Sequence, residues 1–127
     1  MISYNQQTDP PAPFLQIMLA NRFHPSKRIT ISTLLDTGSD YTAIPSGVVK
    51  TLKLEPTGRI LLEDIKRQTF PIFTYTLRLT IADMIIPEMK VIATELEHGL
   101  LGRDLLNRFY LHLNGPELQF DLKLVET

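Results

Sequence analysis

A chain of 127 residues is sized for one domain, and an apolar share of 43% with 21% charged residues fits a folded globular unit better than a disordered or membrane-embedded one. Thirteen basic against fourteen acidic side chains leave a formal charge of −1, which provides no field for gathering phosphates or anionic lipid and argues against nucleic acid or membrane as partner. The lack of cysteine excludes disulfides, thiolate zinc sites and a cysteine nucleophile, and fits a reducing compartment.

Met1-Ile2-Ser3-Tyr4-Asn5 has no basic flank followed by an apolar run, and no later stretch approaches the ~18 apolar residues that span a bilayer, so a cytoplasmic protein is expected. Prolines in Asp9-Pro10-Pro11-Ala12-Pro13 cannot donate to a ladder, which predicts a loose N-terminal arm over 1–13 and a folded domain over 14–127. Phe14 to Ala20 and Arg28 to Leu35 are Ile-, Leu- and Thr-rich strand candidates, joined by a polar, proline-containing hairpin loop. Tyr41 to Ile44, Arg59 to Glu63, Phe70 to Ala82 and Ile85 to Thr94 follow as strands. Within Phe70 to Ala82, Phe73, Tyr75, Leu77, Leu79 and Ile81 alternate with Thr74, Thr76, Arg78 and Thr80, which predicts one buried and one open face. Tyr110 to Leu113 and Leu118 to Val125 close the series around an Asn114-Gly115-Pro116 turn. Two short helices are predicted: Ser46 to Leu52, with Ser46 as N-cap, and Arg103 to Phe109, whose Leu105, Leu106 and Phe109 recur at helical spacing. The body is therefore mainly β.

The chemistry concentrates in Thr33-Leu34-Leu35-Asp36-Thr37-Gly38-Ser39, which puts a carboxylate at the end of an apolar strand. Thr37 is able to hydrogen-bond within the loop, Gly38 lets backbone approach the carboxylate, and Ser39 is expected to donate to Asp36. Asp-Thr-Gly-Ser alone is an ordinary turn. Its flanks decide: two leucines before it, then Tyr41-Thr42-Ala43-Ile44-Pro45 and a helix candidate after it.

With those flanks, Leu34-Leu35-Asp36-Thr37-Gly38-Ser39-Asp40 resembles the active-site loop of the retropepsin-like aspartic proteases. Gly99-Leu100-Leu101-Gly102-Arg103-Asp104-Leu105-Leu106 is similar to the same family's apolar-apolar-Gly-Arg-Asp run. The resemblance covers roughly Phe14 to Val125. It implies an acid-protease β-barrel with a short C-terminal helix, active as a two-fold homodimer, and a catalytic role for Asp36. Thr37 and Gly38 match loop residues that hold two aspartates together. Gly102, Arg103 and Asp104 match a structural element in which the arginine braces the monomer and its dimer contacts. The family's flap corresponds here to Leu62-Glu63-Asp64-Ile65-Lys66-Arg67-Gln68, with Asp64, Ile65, Lys66 and Arg67 at its tip. The family's flap glycines are missing from that tip; Gly58 stands only at its base. The charged tip also fits a plain solvated hairpin.

Peptide hydrolysis by this chemistry needs two carboxylates sharing a proton, one taking a proton from water while the other polarises the scissile carbonyl. Asp40, Asp64, Asp83, Asp104 and Asp121 are not followed by Thr-Gly or Ser-Gly, so the second carboxylate is expected to be Asp36 of another copy, across an isologous interface. Like charges so close make double ionisation costly, which predicts an acidic to mildly acidic optimum. An extended peptide under the flap, largely apolar pocket walls and cleavage beside apolar residues are expected. The chemistry requires no cofactor or metal, and His24, His98 and His112 show no ligand spacing.

The main alternative is a catalytically weak module of the same fold that dimerises or binds peptide. A β-sandwich carrier leaves the Asp36 loop without a purpose, Ser39 lacks a nucleophile elbow, and Gly38, Gly47 and Gly58 make no phosphate loop.

Overall fold

Runs of β-branched and aromatic residues, broken by Pro, Gly and Asp, set the strands. The computed structural model describes residues 1–125. In chain order the elements are β1 (Ile2–Ser3), β2 (Phe14–Ala20), β3 (Arg28–Leu35), β4 (Ala43–Pro45), α1 (Ser46–Thr51), β5 (Pro56–Glu63) and β6 (Thr69–Ile81). They continue with β7 (Met84–Thr94), β8 (Gly99–Leu101), α2 (Arg103–Leu106), β9 (Phe109–Asn114) and β10 (Gln119–Leu124). One sheet runs β2-β3-β8-β4-β7-β6-β5, and an added β2–β6 pairing closes it into a barrel.

The 13 residues of β6 make that closure possible. Thr69 to Tyr75 pair with β5, while Arg78 to Thr80 pair with β2 on the same side. The opposite edge of β6 pairs with β7. Short β8 lies parallel to β3 and antiparallel to β4, so Thr33 faces Gly99 and Ala43 faces Leu100. A side chain at position 99 would put a Cβ 2.9 Å from Thr33 Cγ2 and 3.0 Å from the Ala43 carbonyl oxygen, so only glycine lets the three strands close up.

Ile17, Leu19, Ile44, Leu77, Leu79, Ile81, Leu101 and Leu105 fill the barrel, each almost completely buried. Burying one such side chain stabilises the fold by about 1.5–3 kcal/mol. A second sheet, β1-β10-β9, packs Phe109 and Phe120 onto this core.

Several expectations need correction. The N-terminal segment is not loose: Ile2 pairs with Phe120, the Tyr4 N–H donates to the Leu118 carbonyl at 2.8 Å, and Asn5 and Ala12 exchange backbone bonds. The prolines lack donors but not acceptors, and the Pro13 carbonyl takes the Leu35 N–H at 3.0 Å. The alternation of β6 fails in its first half, where Phe73 is 52% exposed and Thr74 is buried. Thr69 to Thr74 pair with β5 alone, so no barrel layer covers the Phe73 side. Pro45 occupies the N-cap of α1, with no side-chain cap from Ser46. The α2 helix is a single turn: Leu105, Leu106 and Phe109 are buried as expected, but Phe109 already begins β9, and two strands follow the helix.

Candidate active site

Asp36 follows β3, and its position is set by β8. Its N–H donates to the Leu101 carbonyl at 3.0 Å, continuing the parallel β3–β8 ladder by one bond. The loop then turns back on itself: the Ser39 N–H donates to the Asp36 carbonyl at 3.1 Å, and the Gly38 N–H donates to Asp36 Oδ1 at 3.1 Å. A Cβ on residue 38 would lie 3.3 Å from that same oxygen, tighter than ordinary contact, so glycine keeps the amide close to the carboxylate. Asp36 is half-buried and Thr37 exposed. The Ser39 hydroxyl donates to the Tyr41 carbonyl at 2.8 Å instead of to Asp36, correcting the expected bond. Its contribution is to the backbone of the loop.

Gly102, Arg103 and Asp104 grip this loop from below. Arg103 Nη1 donates to the Thr37 carbonyl at 2.6 Å, its Nη2 pairs with Asp40, and its backbone N–H donates to the Ser39 carbonyl at 2.9 Å. Gly102 presses so closely on residue 41 that a Cβ would sit 2.5 Å from the Tyr41 carbonyl carbon. Asp104 accepts from both the N–H and the hydroxyl of buried Thr42. The two sequence segments singled out above therefore meet, held by backbone groups and the part-buried Thr42–Asp104 pair, with the exposed Arg103–Asp40 ion pair added at the surface.

The Leu62–Phe70 region is a hairpin, with Leu62 opposite Phe70 and Glu63 opposite Thr69. Its tip forms without glycine. Asp64 Oδ1 accepts the Lys66 and Gln68 N–H groups, each at 2.9 Å, and Arg67 takes the left-handed conformation at φ 61°. Ile65 stands fully exposed.

A groove of about 450 Å³ joins loop to hairpin, lined by Ser39, Asp40, Tyr41, Leu61, Leu62, Glu63, Asp64 and Ile92. Three carboxylates on this wall correct the expectation of largely apolar walls. Tyr41, Leu61 and Ile92 carried no distinguishing signal in the sequence, since ordinary strand positions look the same wherever the barrel places them. Among the candidates, Ser39 and Asp64 meet at the groove. Asp36, Thr37, Gly38, Ile65, Lys66 and Arg67 are not among its lining residues. Among the described residues no three His, Asp or Glu side chains form a metal-binding group, and no helix is long and apolar enough to cross a membrane.

No family model and no curated protein sequence matches the chain. Solved structures share its architecture. It is similar to a retropepsin-like aspartic protease from Rickettsia conorii at 20% identity, with 89% of this chain and 82% of that one covered and a TM-score of 0.59. It is similar to EIAV protease complexed with the inhibitor HBY-793 at 17% identity, covering 84% and 92%, with a TM-score of 0.58. The solution structure of simian foamy virus (mac) protease gives 17% identity, 75% and 92% coverage and a TM-score of 0.57. The chain has a retropepsin-like fold.

Proposed function

We propose that the chain is one subunit of an aspartic endopeptidase whose active site forms when two copies place their Asp36 carboxylates side by side. The observation that carries this reading is the Asp36-Thr37-Gly38-Ser39 loop, fastened to Gly102-Arg103-Asp104 on a retropepsin-like barrel, with its Ser39 sharing a groove wall with a hairpin. The ionised carboxylate takes a proton from water, and the water oxygen attacks the scissile carbonyl carbon. The protonated carboxyl gives its proton to the carbonyl oxygen. The resulting gem-diol collapses as the amide nitrogen is protonated, releasing an acid and an amine.

Dimerisation is supported by the second sheet. Directly paired residues share a face, so Ile2, Leu111, Leu113, Phe120, Leu122 and Leu124 form one apolar face of β1-β10-β9. The core covers its centre, but Leu113 is 50% and Leu124 40% exposed. A second copy of this face is the proposed cover. The substrate is a peptide lying extended beneath the Leu62–Phe70 hairpin, where β5 ends its sheet and offers a free edge. Asp64, Ile65, Lys66 and Arg67 form the closing tip, and Thr37 and Gly38 hold the paired loops.

Parallel digestion of a peptide library by wild type and Asp36→Asn tests the reading. Loss of all cleavage in the variant supports it. Peptide binding by a dimer that never cleaves would favour the binding-module alternative, which the same apolar face and groove also fit.

A further inference from the structure

The end of the barrel remote from Asp36 carries a second groove. The β2–β3 hairpin loop lies a whole strand from the carboxylate, roughly 25 Å at ~3.3 Å per residue. Below that loop Ala20 pairs with Arg28 on one side and Arg78 on the other. Directly paired residues point the same way, so the two arginines flank a buried alanine, with Cα atoms roughly 10 Å apart. They line a pocket of about 220 Å³ whose apolar surface comes from Met18, Pro25 and Ile85.

Neither guanidinium has an ion-pair partner among the described residues. Arg78 is half-buried and sits at a bulge: Leu77 pairs with Met89 and Leu79 with Ile86, so Pro87 and Glu88 together oppose Arg78. Glu88 is the acid best placed to neutralise it, yet Glu88 pairs with Arg22 at 3.1 Å. A partly desolvated cation left without a counter-charge is costly, and an external anion removes that cost.

The surface continues past a single anion. A groove of about 440 Å³ is lined by Arg22, Phe23, Ile86, Pro87 and Glu88, the acid already paired with Arg22; Phe23 is 72% exposed with the Arg22 guanidinium 4.5 Å from its ring centroid. Ile85, in the arginine pocket and next in the chain to Ile86 of this groove, is 51% exposed. In the same β2–β3 loop Lys27 is lowered from its ordinary pKa by hydrogen bonding to Lys53 and repulsion from it. Exposed aromatic and aliphatic anchors beside arginines are the composition of a protein-docking surface.

We propose that this distal face docks an acidic peptide segment of a partner protein, one carboxylate seated between Arg28 and Arg78 over Ala20 and an apolar side chain lying along Ile85 and Phe23. The site is separate from the Ser39–Asp64 groove and from Asp36, and does not depend on proteolysis.

The test is an array of octapeptides that combines Asp or Glu with Leu or Phe at every pair of positions on a Gly-Ser background, probed with the full chain. The strongest member is then measured by fluorescence anisotropy. Its Asn or Gln analogue should bind at least ten-fold more weakly, and Arg28→Gln with Arg78→Gln should lose at least ten-fold while melting like wild type. If that variant does not fold, the acid-to-amide comparison on wild type decides. Equal binding of acid and amide peptides, capture of no peptide, or wild-type binding by the folded double variant overturns the proposal. Displacement by inorganic phosphate at the peptide's own concentration also overturns it, because the site is then one for small anions.

Discussion

Asp104 accepts from Thr42 twice, from the backbone N–H at 3.1 Å and from the hydroxyl at 2.8 Å, and that hydroxyl in turn accepts from the Gly102 N–H at 3.2 Å. The pair fixes the start of α2 to the chain just after the Asp36 loop. Asp104→Ala leaves two buried Thr42 donors unmatched, each costing about 1–3 kcal/mol. Urea denaturation should show a loss of that order, and Asp104→Asn a smaller one because a carbonyl acceptor remains.

Two glycines should respond in opposite directions to alanine. At Gly102 the new methyl meets backbone of Tyr41 and Thr42 at 2.5–2.9 Å, and backbone has to move. At Gly47, inside α1, nothing lies within 4 Å. Gly102→Ala is expected to lower the melting temperature, while Gly47→Ala should stabilise by roughly 0.5–1 kcal/mol through helix propensity.

The hairpin tip depends on one carboxylate. With Asp64→Ala the Lys66 and Gln68 amides lose their acceptor, and hydrogen exchange at both should accelerate by an order of magnitude or more while the barrel amides do not change. Arg67→Gly removes the left-handed strain at φ 61°, of order 1–2 kcal/mol, and should protect the same amides.

Much of this architecture was legible before any coordinates. β2 and β3 run over the residues that the Ile-, Leu- and Thr-rich pattern predicts, because both are long and bounded by proline or polar loops. β8 was not legible: Gly99–Leu101 is three residues, a strand only because β3 and β4 flank it. The docking of residues 2–5 escaped notice because proline content says where donors are lost and nothing about which carbonyls find a donor. The meeting of the Asp36 loop with Gly102-Arg103-Asp104 was not legible, since no periodicity brings distant segments together and the family resemblance marks the second run only as a structural element. The acidic groove wall was invisible for a related reason: Asp40, Glu63 and Asp64 are ordinary loop and strand-end residues until the fold converges them.

In the proposed dimer the exposed edge of the terminal sheet is the contact between copies. Leu113→Glu together with Leu124→Glu puts charge on the apolar face opposite Phe120 and Phe109. Sedimentation should give a monomer where wild type gives a dimer, with peptidase activity lost in parallel. A variant that is monomeric and fully active would rule out the shared site.

The most direct measurement is cleavage of a peptide library at acidic to neutral pH by wild type and Asp36→Asn, with both shown to be dimers in the same buffer. Cleavage by wild type, strongest below neutral pH and blocked by a statine-type mimic of the gem-diol, with none by Asp36→Asn, is the expected result. Equal cleavage by the two proteins would contradict the assignment of Asp36 as the catalyst.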